Sequence, residues 1–116
     1  MIDLGRFELC LNVNDVHRSI DFYTKLGFRL ISGDPGSGWA VMEYSNLKLA
    51  LYQGHIAQNM LNFRGGDVSA IAARLKDKGM QLKSDAMSEK DGSMGAIIED
   101  PDGNVIYFNT HPDEAK

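Results

Sequence analysis

Alternation of apolar and polar residues divides the chain into short strands interrupted by two helical stretches. Residues 6–13, RFELCLNV, alternate with a period of two and read as a strand. Asn14-Asp15 then offers a helix N-cap, and Val16, Ile20, Tyr23 and Leu26 recur at helical spacing until Gly27 stops them. Residues 28–32 continue as a strand, and residues 39–44 and 47–52 form a hairpin around Ser45-Asn46. Residues 60–64 are the next strand. The helix VSAIAARLKDKG follows, with Val68, Ile71, Ala72 and Leu75 on its apolar face and Gly79 as a left-handed C-cap. A last hairpin joins Ala96-Ile97-Ile98 to Val105-Ile106-Tyr107-Phe108. In its turn Pro101 presets φ, Asp102 can bond back to its own backbone, and Gly103 can take a positive φ.

The two halves repeat. An offset of 52 carries Asp15 onto Asp67, Val16 onto Val68, Ile20 onto Ala72, Tyr23 onto Leu75, Gly27 onto Gly79 and Leu30 onto Leu82. Each half therefore runs strand, helix, strand, strand, strand, which is an α+β fold of two βαβββ modules. Module one spans residues 1–53, a linker GHIAQN spans 54–59, module two spans 60–110, and HPDEAK at 111–116 is expected to fray. The glycine-rich DPGSG at 34–38 lies between two strands rather than before a helix and lacks a lysine, so it is a turn and not a phosphate loop.

Composition narrows the class. A chain of 116 residues can bury about 65% of its unfolded surface and needs no disulfide or metal to fold. Its single cysteine, Cys10, cannot form an internal bridge, which leans towards a reducing compartment. The opening MIDLGRFELC lacks the pattern of a signal peptide, and no apolar run reaches membrane length, so a cytoplasmic protein without a membrane partner is expected. The net charge of −4, with Lys and Arg scattered, argues against nucleic acid.

Strand parity separates two faces. Leu9, Leu11, Val13, Leu47, Leu49, Leu51, Ile106 and Phe108 share the parity that should face the helices. The opposite parity is of intermediate polarity: Glu8, Cys10 and Asn12; Lys48, Ala50 and Tyr52; Met60, Asn62 and Arg64; Val105, Tyr107 and Asn109. An outward face of an antiparallel sheet would be polar in any case. A strongly curved sheet would instead turn these residues into the wall of a cavity.

Three stretches favour the cavity. LNVNDVHRSIDFYTKLGFRL at 11–30, DVSAIAARLKDKG at 67–79 and EDPDGNVIYF at 99–108, in this order and with the repeat, resemble the vicinal-oxygen-chelate superfamily. That group includes glyoxalase I, extradiol dioxygenases and the fosfomycin- and bleomycin-resistance proteins. The resemblance covers nearly the whole chain. It implies two βαβββ modules whose curved mixed sheets form a shared cavity, and a homodimer.

The resemblance also implies where a metal would sit. Metal enzymes of the superfamily place His, Gln or Glu on the first and last strands of each module, and counting from the helix caps and turns brings those positions to Glu8, Ala50, Met60 and Tyr107. Of these, Glu8 alone could ligate, whereas a divalent ion takes at least about three N, O or S ligands. His17 on the first helix, His55 in the linker and His111 near the end lie off these strands, and Glu43 and Glu99 fall near strand ends. The expectation is no metal and no cofactor, as in the metal-free bleomycin-resistance-like members.

Two functions compete, beside the reading of a degenerate module whose business is dimerisation or a protein partner. The first is a non-catalytic protein that binds a small planar or amphipathic compound through Glu8, Cys10, Asn12, Trp39, Lys48, Tyr52, Asn62, Arg64, Tyr107 and Asn109. Trp39, Tyr52 and Tyr107 would supply flat surface for stacking, and Arg64 a fork for an anionic group. Cys10 lacks the neighbours that make a reactive thiolate and is expected to line the pocket as a small hydrophobe. The second is a lyase, isomerase or dioxygenase-like enzyme with Glu8 as general base or with a displaced metal site. A buried Glu8 would need a partner such as Lys48 or Arg64.

Overall fold

The computed structural model describes residues 2–112; positions 113–116 of the tail expected to fray lie outside the described residues. The chain divides into two compact units, Glu8–Met60 and a second made of the residues up to Phe7 together with those from Leu61 onward.

The first unit contains most of β1 (Gly5–Asn12), α1 (Val16–Leu26), β2 (Arg29–Asp34), β3 (Trp39–Tyr44) and β4 (Leu47–Tyr52). Its strands lie in the order β2-β3-β4-β1, with β4 and β1 parallel and the other pairs antiparallel. The parity expectation holds. Leu9, Leu11, Val13 and Leu47 pack with buried Leu49 and Leu51 against Val16, Ile20 and Tyr23 of α1.

The start of α1 is fully accounted for. The Asp15 carboxylate accepts from the backbone N–H groups of His17 and Arg18, and the Val16 N–H donates to Oε1 of Gln53 at 2.9 Å, so no donor of this first turn is orphaned. At the other end Gly27 takes φ 115°, a conformation that costs glycine nothing, and closes the helix onto the Thr24 and Tyr23 carbonyls. The β3/β4 hairpin turns at Ser45, which accepts φ 54°.

The second unit holds β5 (Met60–Gly65, from Leu61 on), α2 (Val68–Asp77), β6 (Ser84–Ser88), β7 (Met94–Glu99) and β8 (Val105–Thr110). Its strand order, β5-β8-β7-β6, repeats that of the first unit. Ile106, Phe108 and Phe63 pack with Val68, Ile71 and Leu75 of α2. Leu82 joins this core ahead of β6, so the second strand of this module starts later than the offset of 52 implies.

The β7/β8 turn is closed by a different aspartate from the one the sequence suggested. Asp100, not Asp102, provides the side-chain bonds: its Oδ1 accepts from the Asp102 and Asn104 N–H groups and its Oδ2 from Asn104 Nδ2. Asp100 stands at the first position of the turn, where a carboxylate reaches amides two and four residues ahead. Gly103 takes φ 87° as expected. Among the described residues no helix is long and apolar enough to cross a membrane.

Candidate functional site

The sheet face turned away from α1 in the first unit is apolar. Cys10 lies opposite Ala50, and Ala50 opposite Val41; these three are buried, with Trp39, Tyr52, Ile56 and Met60 packed on them. Three of the expected site residues, Cys10, Trp39 and Tyr52, thus come together in one apolar cluster. Asn12 lies opposite Tyr52, and Tyr52 opposite Trp39, but the Asn12 side chain is at the exposed end of its strand. The backbone N–H of Asn12 donates to Asn59 Oδ1 at 2.8 Å, which ties down the segment between β4 and β5. His55 of that segment reaches the Ser37 carbonyl at 2.7 Å and stands edge-on to Tyr52, so its ring supports the turn after β2.

A charged row crosses the same unit. Lys48 on β4 lies opposite Glu43 on β3 in the strand register, and Glu43 receives a 2.9 Å hydrogen bond from Arg29 on β2. Glu8 and Lys48 each precede by one residue the paired Leu9 and Leu49. Glu8 is 5% exposed, so a carboxylate has been carried into the protein on this strand.

The corresponding face of the second unit is polar. Asn62 is 3% exposed, and Arg64, Tyr107 and Asn109 are half-buried. On β7, Ile97 lies opposite Tyr107 and Gly95 opposite Asn109. The Tyr107 hydroxyl donates to Oε1 of Glu89 at 2.9 Å. Burial, reinforced by Glu89, raises the phenol's pKa well above its ordinary value, with Asn109 pulling weakly the other way. The Oδ1 atom of Asn109 is buried with no hydrogen-bond partner among the described residues.

Glu89 and its turn were not singled out from sequence. The run EKDGS at 89–93 is legible as a turn, but its effect on Tyr107 depends on strand register. The turn is held by the Glu89 N–H to the Ser93 carbonyl at 2.8 Å and by the Ser93 hydroxyl, 2.6 Å from Asp91 Oδ1 and 3.3 Å from Glu89 Oε2. These bonds from Ser93 hold the Asp91 carboxyl below its usual range, and His111 stands 3.6 Å from it. Gly95 makes room: a Cβ there would lie 2.8 Å from the Tyr107 oxygen and 3.1 Å from Glu89 Oε1.

The donor set at the four implied metal positions does not suit a divalent ion. Ala50 has no donor and is fully buried, Met60 packs in the apolar cluster, and the phenol of Tyr107 is held protonated by burial and Glu89. Among the described residues no three His, Cys, Asp or Glu side chains converge to hold a metal. Open clefts lie elsewhere, among them one of about 760 Å³ along Asp15, His17, Arg18, Asp21 and Phe22, one of about 400 Å³ at Ile2, Ala70, Ala73, Arg74 and Asp77, and one of about 360 Å³ at Gly66, Asp67, Ser69 and Thr110.

Comparison with known proteins agrees with the architecture of the modules. A protein from Legionella pneumophila described as an NAD-dependent benzaldehyde dehydrogenase superposes with a TM-score of 0.75 at 17% identity, covering 90% of this chain and 98% of that one. A glyoxalase/bleomycin resistance protein/dioxygenase superfamily member from Vibrio splendidus 12B01 gives 0.66 at 16%, covering 91% and 97%. The Mn(II)-bound glyoxalase from Novosphingobium aromaticivorans gives 0.57 at 19%, covering 89% of this chain and 36% of that one. At such identities the likeness concerns the fold alone. No protein with a curated description matches the chain. The family model for the Glyoxalase/Bleomycin resistance protein/Dioxygenase superfamily matches residues 4–108, and the chain belongs to that superfamily.

Proposed function

We propose that this chain is a metal-free, bleomycin-resistance-like member of its superfamily that binds a small, planar or amphipathic organic molecule on the sheet faces turned away from α1 and α2. The observation that carries this reading is the Asn109 Oδ1 acceptor, buried and without a partner among the described residues. Leaving such a group unfilled costs about 1–3 kcal/mol, which a ligand donor would recover. Buried Asn62 and half-buried Tyr107 add polar groups to the same unit. Trp39 and Tyr52 give the first unit aromatic surface over a dry floor of Cys10, Val41 and Ala50.

The test combines elemental analysis and native mass spectrometry of untagged protein, after incubation with manganese, iron, nickel or zinc and desalting. The expected result is no stoichiometric ion, together with a small-molecule adduct whose removal perturbs NMR signals of Asn62, Tyr107 and Asn109. A near-stoichiometric divalent ion that disappears in Glu8→Gln would overturn the reading.

The buried Glu8 carboxylate favours a second reading, a lyase, isomerase or dioxygenase-like enzyme with Glu8 as general base. On that reading Glu8→Gln abolishes turnover and leaves the fold intact. Turnover unaffected by Glu8→Gln would sink it.

A further inference from the structure

The sheet of the first unit ends in a strand with one bare side. β2 hydrogen-bonds β3 along one side, and among the described residues no strand lies along the other. All six of its residues are exposed, Leu30 and Ile31 included. A bare edge presents N–H and C=O groups ready to pair with a further strand. The helix that packs on β2, α1, leaves Phe22 and Leu26, one turn apart, each 59% exposed.

The charges on this edge match the edge itself, and a bulge is the reason. Leu30 lies opposite Met42 and Ser32 opposite Val41, so Ile31 is an extra residue in the ladder. Without it Arg29 and Asp34 would point to opposite faces of the sheet. With it both share the face of their β3 partners Glu43 and Trp39, and the paired residues reduce to Arg29, Leu30, Ser32, Gly33 and Asp34. Two copies of a strand paired antiparallel about a twofold axis set one residue opposite itself. With Ser32 at the axis, Leu30 faces the partner's Gly33, which has no side chain to crowd it, and Arg29 faces the partner's Asp34. The opposite-charge pair forms twice. Arg29 Nη2 already donates to Glu43 at 2.9 Å and Asp34 Oδ2 accepts from the Ser37 hydroxyl at 2.7 Å, which steadies both groups. A guanidinium with five donors and a carboxylate with about four acceptor sites keep capacity for a further partner. The edge strand of the second unit has no such match: Asp85 is the only charged residue of β6, and Lys76 holds it at 2.7 Å.

We propose that β2 is the docking edge for a second copy of this chain, joined antiparallel about Ser32 through reciprocal Arg29–Asp34 pairs, with Phe22 and Leu26 as flanking apolar area. The pairing uses up both bare edges and so closes at two copies. It is independent of the ligand-binding reading.

The test is the oligomeric state of the whole protein, followed by sedimentation velocity over a wide concentration range, where a reversible dimer is expected. Arg29→Asp and Asp34→Arg should each weaken it about tenfold or more, because like charges then meet twice. Mixing the two variants restores both pairs, so the mixture should dimerise like the parent, and native mass spectrometry should find the mixed species in excess over either homodimer. Ser32→Cys needs no charge change: directly opposed residues stand about 4.5–5.5 Å apart between Cα atoms, within disulfide reach, so mild oxidation should give a covalent dimer. A parent that stays monomeric, single variants as dimeric as the parent, a mixture that fails to dimerise, or a Ser32→Cys protein that stays uncrosslinked would each overturn the proposal. Should the charge variants fail to fold, the cysteine variant decides alone.

Discussion

Tyr107 and Glu89 are 18 residues apart in sequence and joined by a 2.9 Å hydrogen bond that crosses above the bare backbone of Gly95. The bond ties the β6/β7 turn to the middle of β8. It therefore couples an exposed turn to the polar sheet face, and its strength should be visible in bulk measurements.

Alkaline titration reports it directly. The folded-state pKa of Tyr107 is raised above the ordinary value of 10.0. The protonated phenol is favoured in the folded state, so the associated stability is complete below pH 10 and is lost as the pH rises beyond it, because the unfolded chain gives up its proton first. An ultraviolet titration of the folded protein should show a late tyrosine step that is missing in Tyr107→Phe. Glu89→Gln should bring that last step down. A folded protein with no late step, or with one that survives in Tyr107→Phe, would contradict the assignment.

Gly95→Ala is a steric probe of the same contact. The new methyl would approach the Tyr107 oxygen to 2.8 Å and Cε1 to 3.0 Å, closer than the ring can tolerate without moving. A loss of about 1–3 kcal/mol in urea denaturation is expected, accompanied by a downward shift of the late tyrosine. A variant as stable as the parent would mean that β8 yields freely at this point.

Cys10 offers a check on the first unit. Its thiol is 2% exposed, beneath Trp39, Tyr52, Ile56 and Met60. Ellman's reagent should find almost no reactive thiol in the native protein and one per chain in guanidinium. Fast labelling without denaturant would show that this apolar cluster opens readily.

The helix cap from Gln53 should be measurable as well. Gln53→Ala removes the acceptor for the Val16 N–H and should cost about 1 kcal/mol. Gln53→Glu keeps an acceptor and adds a negative charge at a helix N-terminus, so it should restore most of the loss. Urea curves on the two variants separate these outcomes; equal destabilisation by both would argue against capping.

The parts of the fold legible in the sequence were those written in strong local patterns. Leu9, Leu11 and Val13 alternate with polar neighbours, and no register slip is compatible with burying all three against α1. Gly27 and Gly103 announced their turns because few other residues accept those φ values. The choice between Asp100 and Asp102 was not legible, since both stand in one turn and which carboxylate reaches the amides depends on backbone angles.

The polar face was legible in outline only. Parity alone selected Asn62, Arg64, Tyr107 and Asn109, and the same rule selected Cys10 and Tyr52, which pack in an apolar cluster in the other unit. Parity assigns a side of the sheet; what covers that side depends on loops. Glu89 escaped notice because its neighbours Lys90 and Asp91 look like an ordinary solvated turn, and its contact with Tyr107 arises only once β6, β7 and β8 are in register.

The Gln53 contact bears on how the molecule is made. Val16 and the residue that satisfies it are separated by 37 positions, so the first helix emerges from the ribosome with one end unfinished. Asp15 can secure His17 and Arg18 at once, being next to them. The remaining amide has to stay with water until β4, the second strand of the hairpin, has been synthesised and laid beside β1. Closing that contact signals that the first module is complete, and the chain that follows begins the second copy of the same motif.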